Sequence, residues 1–125
     1  MESKQIDELL EKQRRFYQSG ATVPVDFRIQ QLKKLCAAVK KYENDIQKAL
    51  FTDLGKSGFE GFMCEVGLAQ SEISYMIRHT RQFSRKRTVA TPLAQFASHS
   101  YIQPVPHGNT LIMSPWNYPF LLSID

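Results

Sequence analysis

Asn117 is the residue whose type and setting could do chemistry. It sits in Ser114-Pro115-Trp116-Asn117-Tyr118-Pro119, directly after the apolar stretch Thr110-Leu111-Ile112-Met113. Proline fixes its own φ, so a turn bounded by two prolines holds its side chains in set directions. An amide held this way can donate to a developing oxyanion, because it donates without titrating and needs little reorganisation. Asn can also serve a turn for its own sake, since it bonds its local backbone and tolerates unusual dihedrals. Both readings stay open on residue logic alone.

Other chemistries find little support. His79, His99 and His107 have no cysteine or carboxylate spacing that would assemble a metal site, so no metal is expected. There is no glycine-rich phosphate loop, no serine-centred nucleophile elbow and no tight carboxylate pair. Glu60, Glu65 and Glu72 read as exposed helix residues. Cys36 and Cys64 fall on apolar helix faces and read as small packing residues rather than a disulfide or a nucleophile. A cytosolic, reducing setting is the default expectation.

The 125 residues suit one domain, and 42% hydrophobic with 22% charged residues is the balance of a globular chain. No apolar run approaches the roughly 20 residues of a membrane span, and the polar, acidic N-terminus does not read as a signal peptide. The net charge is +4. Its excess sits in Arg78, Arg81, Arg85, Lys86 and Arg87, where cations suit a helix C-terminus. Without aromatic interleaving or a binding module, no nucleic-acid partner is expected.

The elements that would hold Asn117 are mostly helical. Residues 3 to about 19 form a first helix, with Ile6, Leu9, Leu10 and Phe16 on one face and Gly20 as its stop. Asp26 is a plausible N-cap for a second helix, striped by Ile29, Leu32, Cys36 and Val39. A third runs from about Glu43 to Leu54, turning Ile46, Ala49, Leu50 and Leu54 inward and ending at Gly55. The fourth is long, from about Phe59 to Arg85, with Phe62, Val66, Ala69, Ile73, Met76, Ile77 and Phe83 along its stripe. Gly61 and Gly67 in its first half signal close helix contact. After Pro92, residues 95 to 103 alternate as a strand would. Pro104 to Asn109 is a turn, and Thr110 to Met113 reads as a short strand of the kind buried in a sheet. Leu121, Leu122 and Ile124 begin a helix with nothing to bury it against.

Ser-Pro-Trp-Asn-Tyr-Pro-Phe after such a strand resembles the signature of the NAD(P)-dependent aldehyde dehydrogenase superfamily. The likeness extends upstream through Phe27-Arg28-Ile29-Gln30-Gln31-Leu32, Asp53-Leu54-Gly55-Lys56, Glu65-Val66 and Glu72-Ile73-Ser74-Tyr75-Met76-Ile77. In order and spacing these resemble the class 3, fatty-aldehyde-type branch. The resemblance implies that Asn117 donates to the thiohemiacetal oxyanion, and that Met113, Ser114 and Trp116 line an NAD or NADP cofactor. It implies an aldehyde substrate, oxidation to a carboxylic acid and a homo-oligomer.

Nothing in the chain matches the family's Gly-x-Thr-x-x-Gly turn, its Lys-Pro-Ser-Glu run, its nucleophilic cysteine or its glutamate base. Neither Cys36 nor Cys64 lies in the nucleophile's context. The expectation is therefore a mainly α chain of four helices and two or three short strands, the N-terminal part of a longer α/β, Rossmann-like enzyme. Residues 1–92 would be a helical segment, 93–104 an arm of the oligomerisation region and 105–125 the opening of the dinucleotide-binding domain. Alone, the chain is expected to be inactive. The alternative is a stand-alone helical module that dimerises through the arm.

Overall fold

A computed structural model describes residues 3–125. Four helices carry most of it: α1 Ser3–Gln18, α2 Val25–Lys41, α3 Glu43–Leu54 and α5 Gly67–Phe83. Between α3 and α5 lie a single turn of helix, α4 Gly58–Gly61, and a π-helical turn, Phe62–Val66. Beyond them come strand β1 Arg87–Val89, a 3₁₀ turn Leu93–Gln95, strand β2 Ser100–Ile102 and a final turn of helix, α6 Leu121–Ile124. No helix among the described residues is long and apolar enough to cross a membrane.

The core forms where α2 crosses α5. Val39, Val66 and Ile73 are buried together, with Leu32, Cys36, Ile46, Ile77, Phe120 and Ile124 packed against them. Those positions recur at three- and four-residue spacing on both helices, so each presents one apolar stripe to the other. Helix α3 adds Leu50 and closes at Gly55, whose φ of 68° lets its N–H reach the Phe51 carbonyl. Ala49 and Leu54, expected inward, are exposed, because α3 is covered along a narrower face. Both cysteines are free and half-buried.

Several expectations are corrected. Helix α2 starts two residues early, with Pro24 at the cap, and Asp26 makes no cap bond; its carboxylate pairs instead with Arg81 of α5. The stripe of α1 is only partly covered, and Ile6, Leu9 and Phe16 stay exposed. That helix is held mainly at its end, where the Tyr17 hydroxyl donates to the Pro106 carbonyl at 2.8 Å.

The long fourth helix is broken by the π turn. Gly67 closes that turn by donating its N–H to the Phe62 carbonyl, and a Cβ at Gly67 would meet that same oxygen at 2.9 Å. Gly67 therefore serves the turn, whereas Gly61 does allow close contact, with Leu50 of α3.

The arm is shorter than expected and has a partner that the pattern did not reveal. β1 pairs antiparallel with β2, Arg87 opposite Ile102 and Val89 opposite Ser100. Arg85, Lys86 and Arg87 read as the end of a helix; instead Ser84 ends α5, Arg87 opens β1 and Pro92 starts the 3₁₀ turn. Thr110 to Met113 forms no strand among the described residues. It lacks a neighbouring strand, and Leu111, Ile112 and Met113 face outward. The helix at Leu121, by contrast, does find cover, since Phe120 and Ile124 lie on the α2–α5 core.

Candidate functional site

The turn that carries Asn117 is tied down by a buried ion pair from the helical unit. Glu65, in the π turn, is fully buried (0% exposed), and Lys56, in the loop between α3 and α4, is nearly so at 8%. Their side chains pair directly, Lys56 Nζ donating to Glu65 Oε1. The other carboxylate oxygen, Oε2, accepts from the backbone N–H of Phe120 at 2.8 Å and of Leu121 at 3.3 Å. Lys56 Nζ also donates to the backbone carbonyl of Asn117 at 2.8 Å and lies 4.2 Å from the centre of the Tyr118 ring. Every donor and acceptor of the pair thus has a use, which is the condition for burying charge without a large penalty.

This corrects the reading of Glu65 as an exposed helix residue. Glu65 lies three residues after Phe62 and four before Ala69, both stripe positions, and that spacing was the available signal. The π turn completes the change by letting Glu65 and Val66 both face inward. Such turns recur at functional positions.

Asn117 itself is exposed, and its side-chain amide has no hydrogen bond to the described residues, so the group is free to donate. The next turn is stitched by Ser123, whose hydroxyl donates to the Pro119 carbonyl and lies 2.8 Å from the Ser114 hydroxyl. Met113 and Trp116 are almost bare, at 85% and 84% exposed. The four residues singled out in the sequence therefore fall on one short, outward-facing segment. No described group of three or more His, Cys, Asp or Glu residues is placed to hold a metal. A shallow apolar groove beside the turn, about 260 Å³, is lined by Met63, Cys64, Leu68, Tyr118, Leu121 and Leu122, and Asn117 is not among its walls.

Known proteins share both the sequence and the shape. The model of the aldehyde dehydrogenase family matches residues 1–125. A 4,4'-diaponeurosporen-aldehyde dehydrogenase of Staphylococcus aureus is 40% identical over 110 residues, covering 88% of this chain and 24% of that protein. A dimeric NADP-preferring aldehyde dehydrogenase of Canis lupus familiaris is 37% identical over 121 residues, 96% of this chain and 26% of that one. A solved structure described as the substrate-bound state of Staphylococcus aureus AldH superimposes with a TM-score of 0.90 at 38% identity, over 95% of this chain and 26% of its own. The chain spans about a quarter of the length of the relatives it matches. With ordered motifs, a matching fold and a family model that covers every residue, the chain belongs to the aldehyde dehydrogenase family.

Proposed function

We propose that this chain supplies the oxyanion-holding part of an enzyme that oxidises aldehydes to carboxylic acids with NAD or NADP. The observation that carries the reading is the state of Asn117: backbone carbonyl held by buried Lys56, side-chain amide exposed and unpartnered among the described residues. An amide with no partner of its own has no hydrogen bond to give up before it donates to a developing charge. In the reaction, a cysteine thiolate adds to the aldehyde carbon and the carbonyl electrons move onto oxygen, forming a thiohemiacetal oxyanion. The Asn117 amide donates to that oxygen. Loss of hydride from the same carbon leaves a thioester, and water hydrolyses it to the acid and the free thiol.

Bound NAD or NADP supplies the hydride acceptor. The exposed apolar faces of Met113 and Trp116 suit a planar ring, and Ser114 between them is tied to Ser123. Residues 1–92, 93–104 and 105–125 are assigned to the helical segment, the oligomerisation arm and the opening of the dinucleotide-binding domain.

The nucleophile is assigned to neither cysteine. Cys36 belongs to the α2 stripe and Cys64 to the π turn, and neither lies in the family's nucleophile context. The purified chain should therefore oxidise no aldehyde. A chimera in which it replaces the matching quarter of the Staphylococcus aureus relative should form NAD(P)H when given an aldehyde. Turnover by the chain alone, or a folded but dead chimera, would contradict the assignment.

One observation favours a second role for the arm. β1 and β2 form a two-stranded sheet with open edges, and Leu93 and Phe96 beside it are almost bare. Unpaired edges template association. A discrete dimer by size-exclusion mass measurement, lost on substitution within β2, would support dimerisation through residues 93–104. A monomer would count against it.

A further inference from the structure

We propose that Lys56 and Glu65 are positioning residues for Asn117, setting where its amide points without touching substrate. The inference rests on the oxyanion reading of Asn117 for its functional meaning, but its geometry stands apart from that reading. Asn117 has no side-chain bond of its own to the described residues, so its direction is inherited from the backbone on either side. That backbone is gripped at two places. Lys56 Nζ holds the Asn117 carbonyl, and Glu65 Oε2 holds the N–H groups of Phe120 and Leu121. Both grips come from one buried ion pair whose members face each other across the π turn.

The chemistry of the pair suits this task better than it suits plain stabilisation. Replacing a buried ion pair by apolar residues of similar size is often neutral or stabilising, so stability alone gives little reason for one here. An apolar pair could fill the space between α4, the π turn and the Asn117 turn. It could not reach three backbone groups and an aromatic face at once. The ion pair does so: Lys56 donates to Glu65 and to the Asn117 carbonyl with the Tyr118 ring against its ammonium, and Glu65 accepts from the N–H groups of Phe120 and Leu121. Glu65 is fully enclosed and both of its oxygens are engaged by donors of the chain itself.

The test removes both charges together, so that neither is left buried alone. In the 125-residue chain carrying Lys56→Met and Glu65→Leu, the melting temperature should stay near that of the unmodified chain. The backbone amides of Phe120 and Leu121 should exchange with solvent roughly tenfold faster or more, as expected for loss of a hydrogen bond to a charged group. Amides of Ile73 and Ile77 should keep their protection, and the Asn117 carbonyl carbon resonance should shift on losing its charged donor. In the chimera the same pair should lower kcat at unchanged KM. Unchanged Phe120 and Leu121 exchange would overturn the proposal. So would a chain that no longer folds, because the pair would then be a core staple and nothing more. If the turn loosens while Asn117→Ala leaves the chimera's rate intact, the oxyanion reading fails and the positioning stands.

Discussion

The α2–α5 packing and the segment from residue 105 to residue 120 are both rich in apolar side chains, and they use them in opposite ways. In the helical unit the stripes meet inside the chain, and Val39, Val66 and Ile73 are buried. In the later segment Leu111, Ile112, Met113 and Trp116 point outward with nothing across from them among the described residues. The later segment is instead anchored by polar contacts to the first region, the Pro106 carbonyl on the Tyr17 hydroxyl, the Asn117 carbonyl on Lys56 and the Phe120 and Leu121 N–H groups on Glu65.

The sharpest way to break this contrast is to truncate each region in turn. Ile73→Ala should destabilise by about 2–5 kcal/mol, as a large-to-small change in a packed core does. Next come the two glycines. Gly67→Ala drives a methyl toward the Phe62 carbonyl at 2.9 Å and should cost about 1–3 kcal/mol, tightening or abolishing the π turn. Gly61→Ala meets Leu50 at an ordinary 3.5 Å and should be neutral or stabilising by up to about 1 kcal/mol. Arg81→Ala breaks a pair with Asp26 that both partners hold in solvent, and should cost about 0.2–1 kcal/mol, less at high salt. Met113→Ala, in the open segment, should change stability by no more than about 0.5 kcal/mol. Thermal or denaturant unfolding reads all of these. Equal losses for Ile73→Ala and Met113→Ala would erase the distinction.

What could be read from the sequence followed local rules. Helices α2 and α3 were legible because their stripes keep a helical period, and the end of α3 because Gly55 can take a positive φ. Asn117 was legible as a fixed amide because Pro115 and Pro119 flank it. The grip on Asn117 was not, since it joins residues 61 positions apart and depends on a π turn that adds a residue to an otherwise regular pattern. Glu65 kept the stripe spacing, but a carboxylate there implies burial only once Lys56 is known to face it. Thr110 to Met113 reads as a strand because its composition suits a buried sheet. A strand needs neighbours, and composition does not supply them. β1 was hidden for the converse reason, since the basic run that leads into it through Arg87 matches a helix end as well as an edge strand.

The central proposal is that Asn117, on a turn anchored by Lys56 and Glu65, donates to an oxyanion. The most direct measurement is kcat of the chimera carrying Asn117→Ala. The account predicts a fall of about 10²–10³-fold with KM little changed, as when one oxyanion donor is removed. An unchanged kcat would contradict it.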